Sequence, residues 1–506
     1  MRNLNAVYDK ALLMRGLLGL LLLCVAMKVT GGAGFLLIFP FVILGFSKNK
    51  SGLLFWCILA TTVLTMTNPN IAPKDNIFAI TNRALYLLVG GVMTLQIVGQ
   101  RTSKLMTPLL ALLPYLAYMA MVSSVGWQPI ISYLKLTLFT IVFFAFYSVG
   151  NATTRSNLGA AQLRSIFLCF ATFLIVGSVC LIPFPAIATL SANFYIMQGL
   201  PIPEGSLFTG ITLQSQALGP MTAVFSTMLL ADLLFSVKKW DLLYLFLLIL
   251  SPILIYKTGS RTAMGTYLAG ICFVSFVFMC ANGIGARWKN RALSTLFLLG
   301  LLGGCAFMAT PSLRESALNF IFKVREGNVA AEHQTFERMV SSRQFLVDRA
   351  IANFHESPWI GNGFQVSELQ RDLKVTSWKQ LLSAPIEKGV WVVAVLEEGG
   401  VFGMMLFCLF LLIAFYSLLT RHAFIGASAL FVFIVSNLGE FTFFSISGMG
   451  GLFWSTIFMA IAMDVARLRQ DKFNRQRLQL LTIMPNTPSP FEDASFEPKT
   501  QTPYQV

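Results

Sequence analysis

Three places in this 506-residue chain hold charged residues whose setting could do chemistry, the first and third of them at the edge of long apolar runs. The first is KTGSRTAMG (257–265), where Arg261 opens such a run. A guanidinium offers two parallel N–H donors to phosphate oxygens. Gly259 and Ser260 would let backbone N–H groups at a helix N-terminus approach the same anion. An arginine snorkelling to a membrane interface would give the same pattern. The second is Arg343 in SSRQFLVDRAIANFHESPWIGNGF (341–364), either a functional cation or one charge on the solvated face of an amphipathic helix. The third is Glu387-Lys388, which closes a polar segment just before the apolar run from Gly389. A carboxylate there can take the proton of an incoming hydroxyl, while the ammonium holds phosphate or tunes the carboxylate. The same pair would also suit a helix first turn beside an interfacial lysine. Glu397 and Glu398 lie further into that run, where carboxylates serve function or helix packing.

The elements that must position these residues are membrane spans. The chain is 56% hydrophobic and 12% charged, with a mean hydropathy of +0.71, which excludes an ordinary soluble domain. Runs long enough to cross about 30 Å of hydrocarbon recur along the sequence. They fall near 11–27, 32–46, 52–67, 84–99, 106–125, 130–149, 164–184, 212–236, 241–257, 262–281, 292–309, 389–419, 423–438 and 449–466. Backbone groups cannot stay unpaired in lipid, so the expected fold is an all-α polytopic membrane protein of about 12–14 transmembrane helices.

The net charge of +15 raises the question of a nucleic-acid partner, but its placement argues against one. Basic residues cluster at every second junction (Lys48 and Lys50; Arg101 and Lys104; Arg155 and Arg164; Lys238 and Lys239; Arg421; Arg467 onward). That bias predicts a multi-pass membrane protein with both termini cytoplasmic, and no cleavable leader is evident. The eight cysteines show no CxxC spacing and read as small core residues. Asn151-Ala-Thr153 matches a glycosylation sequon by chance, in an expected cytoplasmic loop.

Four regions follow. Residues 1–309 hold about eleven spans, 310–388 form an extracytoplasmic loop subdomain, 389–466 hold about three more spans, and 467–506 form a basic segment with a disordered tail. The loop carries ten Lys or Arg and nine Asp or Glu in near balance, which suggests a folded unit. Within it, Phe345, Val347, Ala350, Ile351 and Phe354 recur at helical spacing and predict one apolar face over 335–354. Pro358 and the glycines of PWIGNGF then stop the helix.

GSRTAMG opening a span, a long outer loop with Ser-Arg followed by PWIGNGF, and then LEEGGVFGMMLF in the next span resemble the O-antigen ligase and O-antigen polymerase superfamily. The resemblance covers roughly 205–420 by motif and most of the chain by topology. It implies a membrane glycosyltransferase that takes glycan from undecaprenyl diphosphate at the outer face of the inner membrane. It places Arg261 and Arg343 on the arginines that hold the diphosphate, with Gly361 and Gly363 in the turn after the loop helix, and Glu398 and Gly400 on a Glu-x-Gly of the next span. Ser260 and Glu398 join the expected substrate contacts. Ligases of the family carry a His-Asn pair before that span; counting back from Gly403 puts the His near Gly389, where this chain reads IEKG. Glu387 with Lys388 therefore either replaces that base or marks polymerase-like chemistry. His333, His355 and His422 lie elsewhere.

The implied reaction needs no metal and no cofactor, since two guanidiniums can neutralise the leaving diphosphate and no Asp/Glu/His cluster has metal-ligand spacing. The partners are the lipid-linked glycan, a glycan or lipid acceptor, membrane lipid and other polysaccharide-assembly proteins. Trp359, Phe364, Trp378 and Trp391 are available to stack on sugars, or belong to an interfacial belt. The competing class is a polysaccharide flippase or other transporter. Such a protein would place its ionisable groups near mid-membrane between repeated halves, and no repeat is visible.

Overall fold

The computed structural model describes residues 7–97, 102–156, 158–189, 208–237, 241–282, 335–366, 390–439, 441–445 and 448–483. Glu387, Lys388, Trp378, His333, the span expected at 292–309 and the tail beyond 483 lie outside them.

Among the described residues every regular element is helical, and two isolated bridges pair Thr67 with Thr212 and Thr189 with Phe208. We number its main helices α1 (Lys10–Thr30), α2 (Ile38–Ser47), α3 (Ser51–Met66), α4 (Asn76–Ile97), α5 (Leu113–Val125), α6 (Pro129–Arg155) and α7 (Ala160–Cys180). Next come α8 (Ser215–Phe235), α9 (Leu242–Thr258), α10 (Arg261–Asn282), α11 (Thr335–Glu356), α12 (Trp391–Thr420), α13 (Phe424–Ser436) and α14 (Gly448–Ile483). Among the described residues, eight helical segments are long and apolar enough to cross a membrane, and four shorter apolar helices accompany them. The protein is an all-α polytopic membrane protein. Its outward surface fits lipid: Leu18, Val25, Leu412 and Tyr416 are more than half exposed, which would be an aggregation surface in water.

Two boundaries differ from the hydropathy reading. Helix α4 begins at Asn76 rather than near 84, because the Asp75 carboxylate accepts the Phe78 N–H at 2.8 Å and caps the helix. Arg83 is thereby inside the helix rather than before it. Helix α14 continues unbroken to Ile483. The cysteines divide: Cys24, Cys57 and Cys169 are buried, whereas Cys180, Cys272 and Cys280 are exposed and fill no core. Asn151 is fully buried and its Oδ1 accepts the Ser103 N–H at 2.9 Å, so it is a structural bracket.

The basic loops meet at one end of the bundle. Arg421 donates to the Lys104 carbonyl, Arg467 to the His422 carbonyl, and Arg469 to the Ser156 carbonyl at 3.2 Å. Nearby, Arg164 pairs with the buried Asp232 at 2.9 Å, and the Tyr244 hydroxyl donates to the same carboxylate at 2.5 Å. The other end carries the start of α10, the segment 357–366 and the start of α12. Beneath it lies an aromatic core in which Phe364 packs on Phe139 and Phe444 with ring centroids at 6.0 and 5.2 Å.

Candidate functional site

The α9–α10 corner sets Arg261. Helix α9 ends at Gly259, whose φ of +61° is the left-handed conformation that closes a helix C-terminus without steric cost. Ser260 is buried, and its hydroxyl accepts the Ala263 N–H at 3.3 Å, so it is the N-cap of α10. Arg261 is the first residue of that helix and is half-buried. Helix α8 closes on this corner: a Cβ at Gly219 would stand 2.6 Å from the Ala263 Cβ and 2.9 Å from the Thr258 Oγ1. The corner is thus clamped, and the arginine leaves it from a fixed backbone.

The second component is a broken helix. Helix α12 is interrupted at Gly400, which has φ +62° and ψ −165°. In an unbroken helix the N–H groups of Val401 and Phe402 would bond the carbonyls of Glu397 and Glu398. Here PWIGNGF takes those places. Val401 N–H donates to the Pro358 carbonyl at 2.8 Å and Phe402 N–H to the Trp359 carbonyl at 3.3 Å. In return the Asn362 N–H donates to the Glu397 carbonyl and the Gly363 N–H to the Glu398 carbonyl, both at 3.0 Å. The Tyr118 hydroxyl from α5 donates to the Gly399 carbonyl at 3.0 Å. The turn therefore completes the backbone pairing of a helix broken in a region where unpaired groups are costly.

The glycines permit this fit. Gly361 and Gly363 have φ of +78° and +116°, and a Cβ at Gly361 would stand 2.5 Å from the Gly399 N. Beyond the turn, the Phe364 N–H donates to the Ser132 Oγ at 2.7 Å, and the buried Lys135 ammonium donates to the Gln365 carbonyl at 2.9 Å. Trp127 N–H reaches the Asn362 carbonyl at 3.0 Å, so the α5–α6 corner grips the turn from its far side.

Helix α11 packs on α12 through a polar seam. Asn353 Nδ2 donates to Glu397 Oε1 at 2.8 Å, and Asn362 Nδ2 donates to the Asn353 carbonyl at 2.8 Å. The expected apolar face is corrected here: Ile351 is 41% exposed, while Asn353 turns inward beside the buried Ala350. Asn353 and Glu397 are only 4% and 3% exposed, so their bond works in a dry setting. Asn353→Ala should weaken the docking of α11 by about 1–3 kcal/mol, the cost of leaving a buried hydrogen-bonding partner unsatisfied. We expect turnover to fall about tenfold or more at unchanged protein level; unchanged turnover would make the seam dispensable.

Arg343 lies in α11, two turns before Ala350. Glu398 is completely buried in the broken helix. Glu387 and Lys388 precede Trp391, the first residue of α12, and fall outside the described residues. Of the aromatic candidates, Phe364 and Trp391 are buried in the core and cannot reach a sugar, whereas Trp359 is 62% exposed beside Phe402. His355 is exposed, and His422 stands at the opposite, basic end.

The segment after α13 links these parts. The Trp391 N–H donates to the Asn437 carbonyl at 3.1 Å, Gly439 lies against Thr262 at the start of α10, and Gln365 Nε2 donates to the Phe444 carbonyl. One short segment thus touches the arginine corner, the start of α12 and the turn. Neither Tyr118, Asn353, Asn437 nor the segment itself stood out in the sequence. Lys135 could have been found, as a lone charge within the apolar run 130–149.

The span containing the arginine corner, the loop helix, the turn and the break can now be compared with known families. Residues 244–408 match the O-antigen ligase family. The match supports the resemblance of its motifs to the O-antigen ligase/polymerase superfamily, and with it an O-antigen ligase-type function in glycan assembly, with glycosyl transfer as the reaction class. It ends in α12, eight residues past the break at Gly400, and so contains every expected site residue. Among curated proteins, none matches the chain significantly.

Proposed function

We propose that the protein polymerises or ligates a polyprenyl-diphosphate-linked glycan at the outer face of a bacterial inner membrane. The observation that carries this reading is the family match over 244–408, which spans Arg261, Arg343 and the broken helix together. The positive-inside bias supports an outward orientation for the end that bears Ser260 and the turn.

In this reading the guanidiniums of Arg261 and Arg343 bind the diphosphate and take up the charge that develops as it leaves. The acceptor hydroxyl oxygen attacks the anomeric carbon. The bond from that carbon to the diphosphate oxygen breaks, and its electron pair leaves with the phosphate. Glu387 receives the hydroxyl proton, and Lys388 keeps its carboxylate ionised until then. A single displacement inverts the anomeric centre. Ser260 and the glycines hold the backbone against which the donor lies, and Glu398 completes the substrate-binding set.

The test uses purified full-length protein with a polyprenyl-diphosphate-linked glycan and an acceptor glycan, reading product and released polyprenyl diphosphate. Glu387→Gln keeps size and polarity but removes proton affinity, so turnover should drop about a hundredfold or more, as for other lost general bases. Donor binding should survive, because both arginines remain. Wild-type turnover in Glu387→Gln would end the base assignment, and no product from the wild-type protein with any acceptor would end the transferase reading.

A further inference from the structure

A second polar site lies on another side of the bundle. Helices α3, α4 and α6 enclose a cavity of about 400 Å³. Its polar wall holds Thr65, Lys74, Asp75, Asn76, Asn82 and Arg83; Leu87, Leu138, Ile141 and Val142 form an apolar wall. On α6 these are residues 138, 141 and 142, whereas Ser132 and Lys135 of the same helix hold the turn at 364–365. The cavity and the transfer site therefore use different residues of α6.

The charges in it are arranged for an anion. Asp75 is committed to backbone: its Oδ1 accepts the Phe78 N–H at 2.8 Å and its Oδ2 the Gly32 N–H at 2.9 Å. These bonds hold its carboxyl below the usual carboxylate range. Lys74 is half-buried and its ammonium donates to the Thr65 carbonyl in the last turn of α3. Arg83 lies seven residues into α4, about 10 Å along the helix from Asn76. An arginine within an apolar helix is a functional candidate, and here it shares a cavity with a second cation, Lys74, while the Asn82 amide donates to the Thr65 hydroxyl at 3.3 Å. Neighbouring Ile80 and Leu87 are 66% and 47% exposed, so this stretch of α4 borders lipid.

A guanidinium fork and an ammonium above an apolar wall match a phosphate carried on a hydrocarbon chain. We propose that the cavity between α3, α4 and α6 binds the phosphate of a lipid through Lys74 and Arg83, with the lipid chain lying over Leu87, Leu138 and Ile141. Membrane phospholipid and polyprenyl phosphate share this chemistry. The site stands apart from the transfer centre, so its occupancy can be read without turnover.

Lys74 gives the site a pH dependence. Burial pushes its ammonium down to about 7. The groups around it are Asp75, Arg83 and the Tyr86 phenol from α4 and Thr65 from α3, while α6 contributes only apolar side chains. Asp75, held below the usual carboxylate range by its backbone bonds, is ionised throughout the neutral range. Because Lys74 carries its charge below about pH 7, lipid retention should be strongest there and fall as pH rises through that value.

The full-length protein in detergent would be titrated separately with phosphatidylglycerol, undecaprenyl phosphate, diacylglycerol and inorganic phosphate, with bound species read by native mass spectrometry. Retention of either phosphate lipid over diacylglycerol is expected, and the stronger of the two identifies the source. Lys74→Gln and Arg83→Gln should each weaken retention about tenfold, as for a lost hydrogen bond to a charged partner. Lys74→Gln should also flatten the pH profile. Should Lys74→Gln fail to fold without its bond to Thr65, Arg83→Gln leaves that bond in place, and Leu138→Trp fills the apolar wall and should expel the lipid. Equal retention of diacylglycerol, wild-type retention by Arg83→Gln, or displacement of the lipid by an equal concentration of inorganic phosphate would each overturn the proposal.

Discussion

Arg261→Ala and Arg343→Ala should each lower product formation by about a hundredfold to a thousandfold while the protein still inserts. This is the range seen when one fixed stabiliser of developing charge is removed. In the proposed transfer the leaving group is a diphosphate, whose charge grows as the glycosidic bond breaks. A guanidinium already in place stabilises that charge without reorganisation. Arg261 meets this condition in its backbone: the left-handed Gly259, the Ser260 cap and the close approach of Gly219 leave the start of α10 one position to occupy. Arg343 is carried by α11, which Asn353 ties to Glu397.

Lysine should rescue either position poorly, because an ammonium cannot give two parallel N–H contacts in one plane. In cells the alanine variants should accumulate lipid-linked glycan and lose product, with membrane levels unchanged. Near-normal product from both would return Arg261 to an interfacial role and Arg343 to the solvated face of an amphipathic helix. Losing product from one alone would assign the diphosphate to that arginine and leave the other to glycan contacts.

Much of the fold was legible because lipid imposes a simple rule. An apolar run of sufficient length must be a helix, and the basic junctions that meet at one end of the bundle were already alternate in the sequence. The boundaries failed where polar residues belong to a helix. The Asp75 cap draws Arg83 into α4, which hydropathy alone had begun one residue later. The face of α11 failed for a related reason. Periodicity of apolar residues points to Ile351, but the position that turns inward is Asn353, because a carboxylate on another helix awaits it. A buried polar pair leaves no trace in a hydrophobic pattern.

The motif PWIGNGF was legible as a helix stop, and Gly400 as part of Glu-x-Gly, yet nothing local says that one completes the backbone of the other. That fact lies in contacts between residues about 40 positions apart, and it changes what the glycines are for.

Gly400→Ala should therefore abolish most activity without preventing insertion. The residue sits at φ +62°, which costs an L side chain about 1–2 kcal/mol. Its new Cβ would stand 2.6 Å from the Ile360 N, and overpacking of this kind costs about 1–3 kcal/mol more. The variant has an escape: α12 can run straight, with Val401 and Phe402 bonding the carbonyls of Glu397 and Glu398 in the ordinary helical way. The turn at 358–363 then loses all four of its backbone bonds to α12, and α11 with Arg343 loses its mooring. Turnover should fall about a hundredfold or more, and amide exchange across 358–363 should accelerate while the core of α6 and α14 stays protected. Gly361→Ala attacks the same contact from the other side, at φ +78° and 2.5 Å from the Gly399 N, and should reproduce both effects. Gly265→Ala meets no atom within 4 Å and should leave turnover and exchange as they are. Wild-type turnover and unchanged exchange in Gly400→Ala would mean that the break in α12 is incidental to the transfer site.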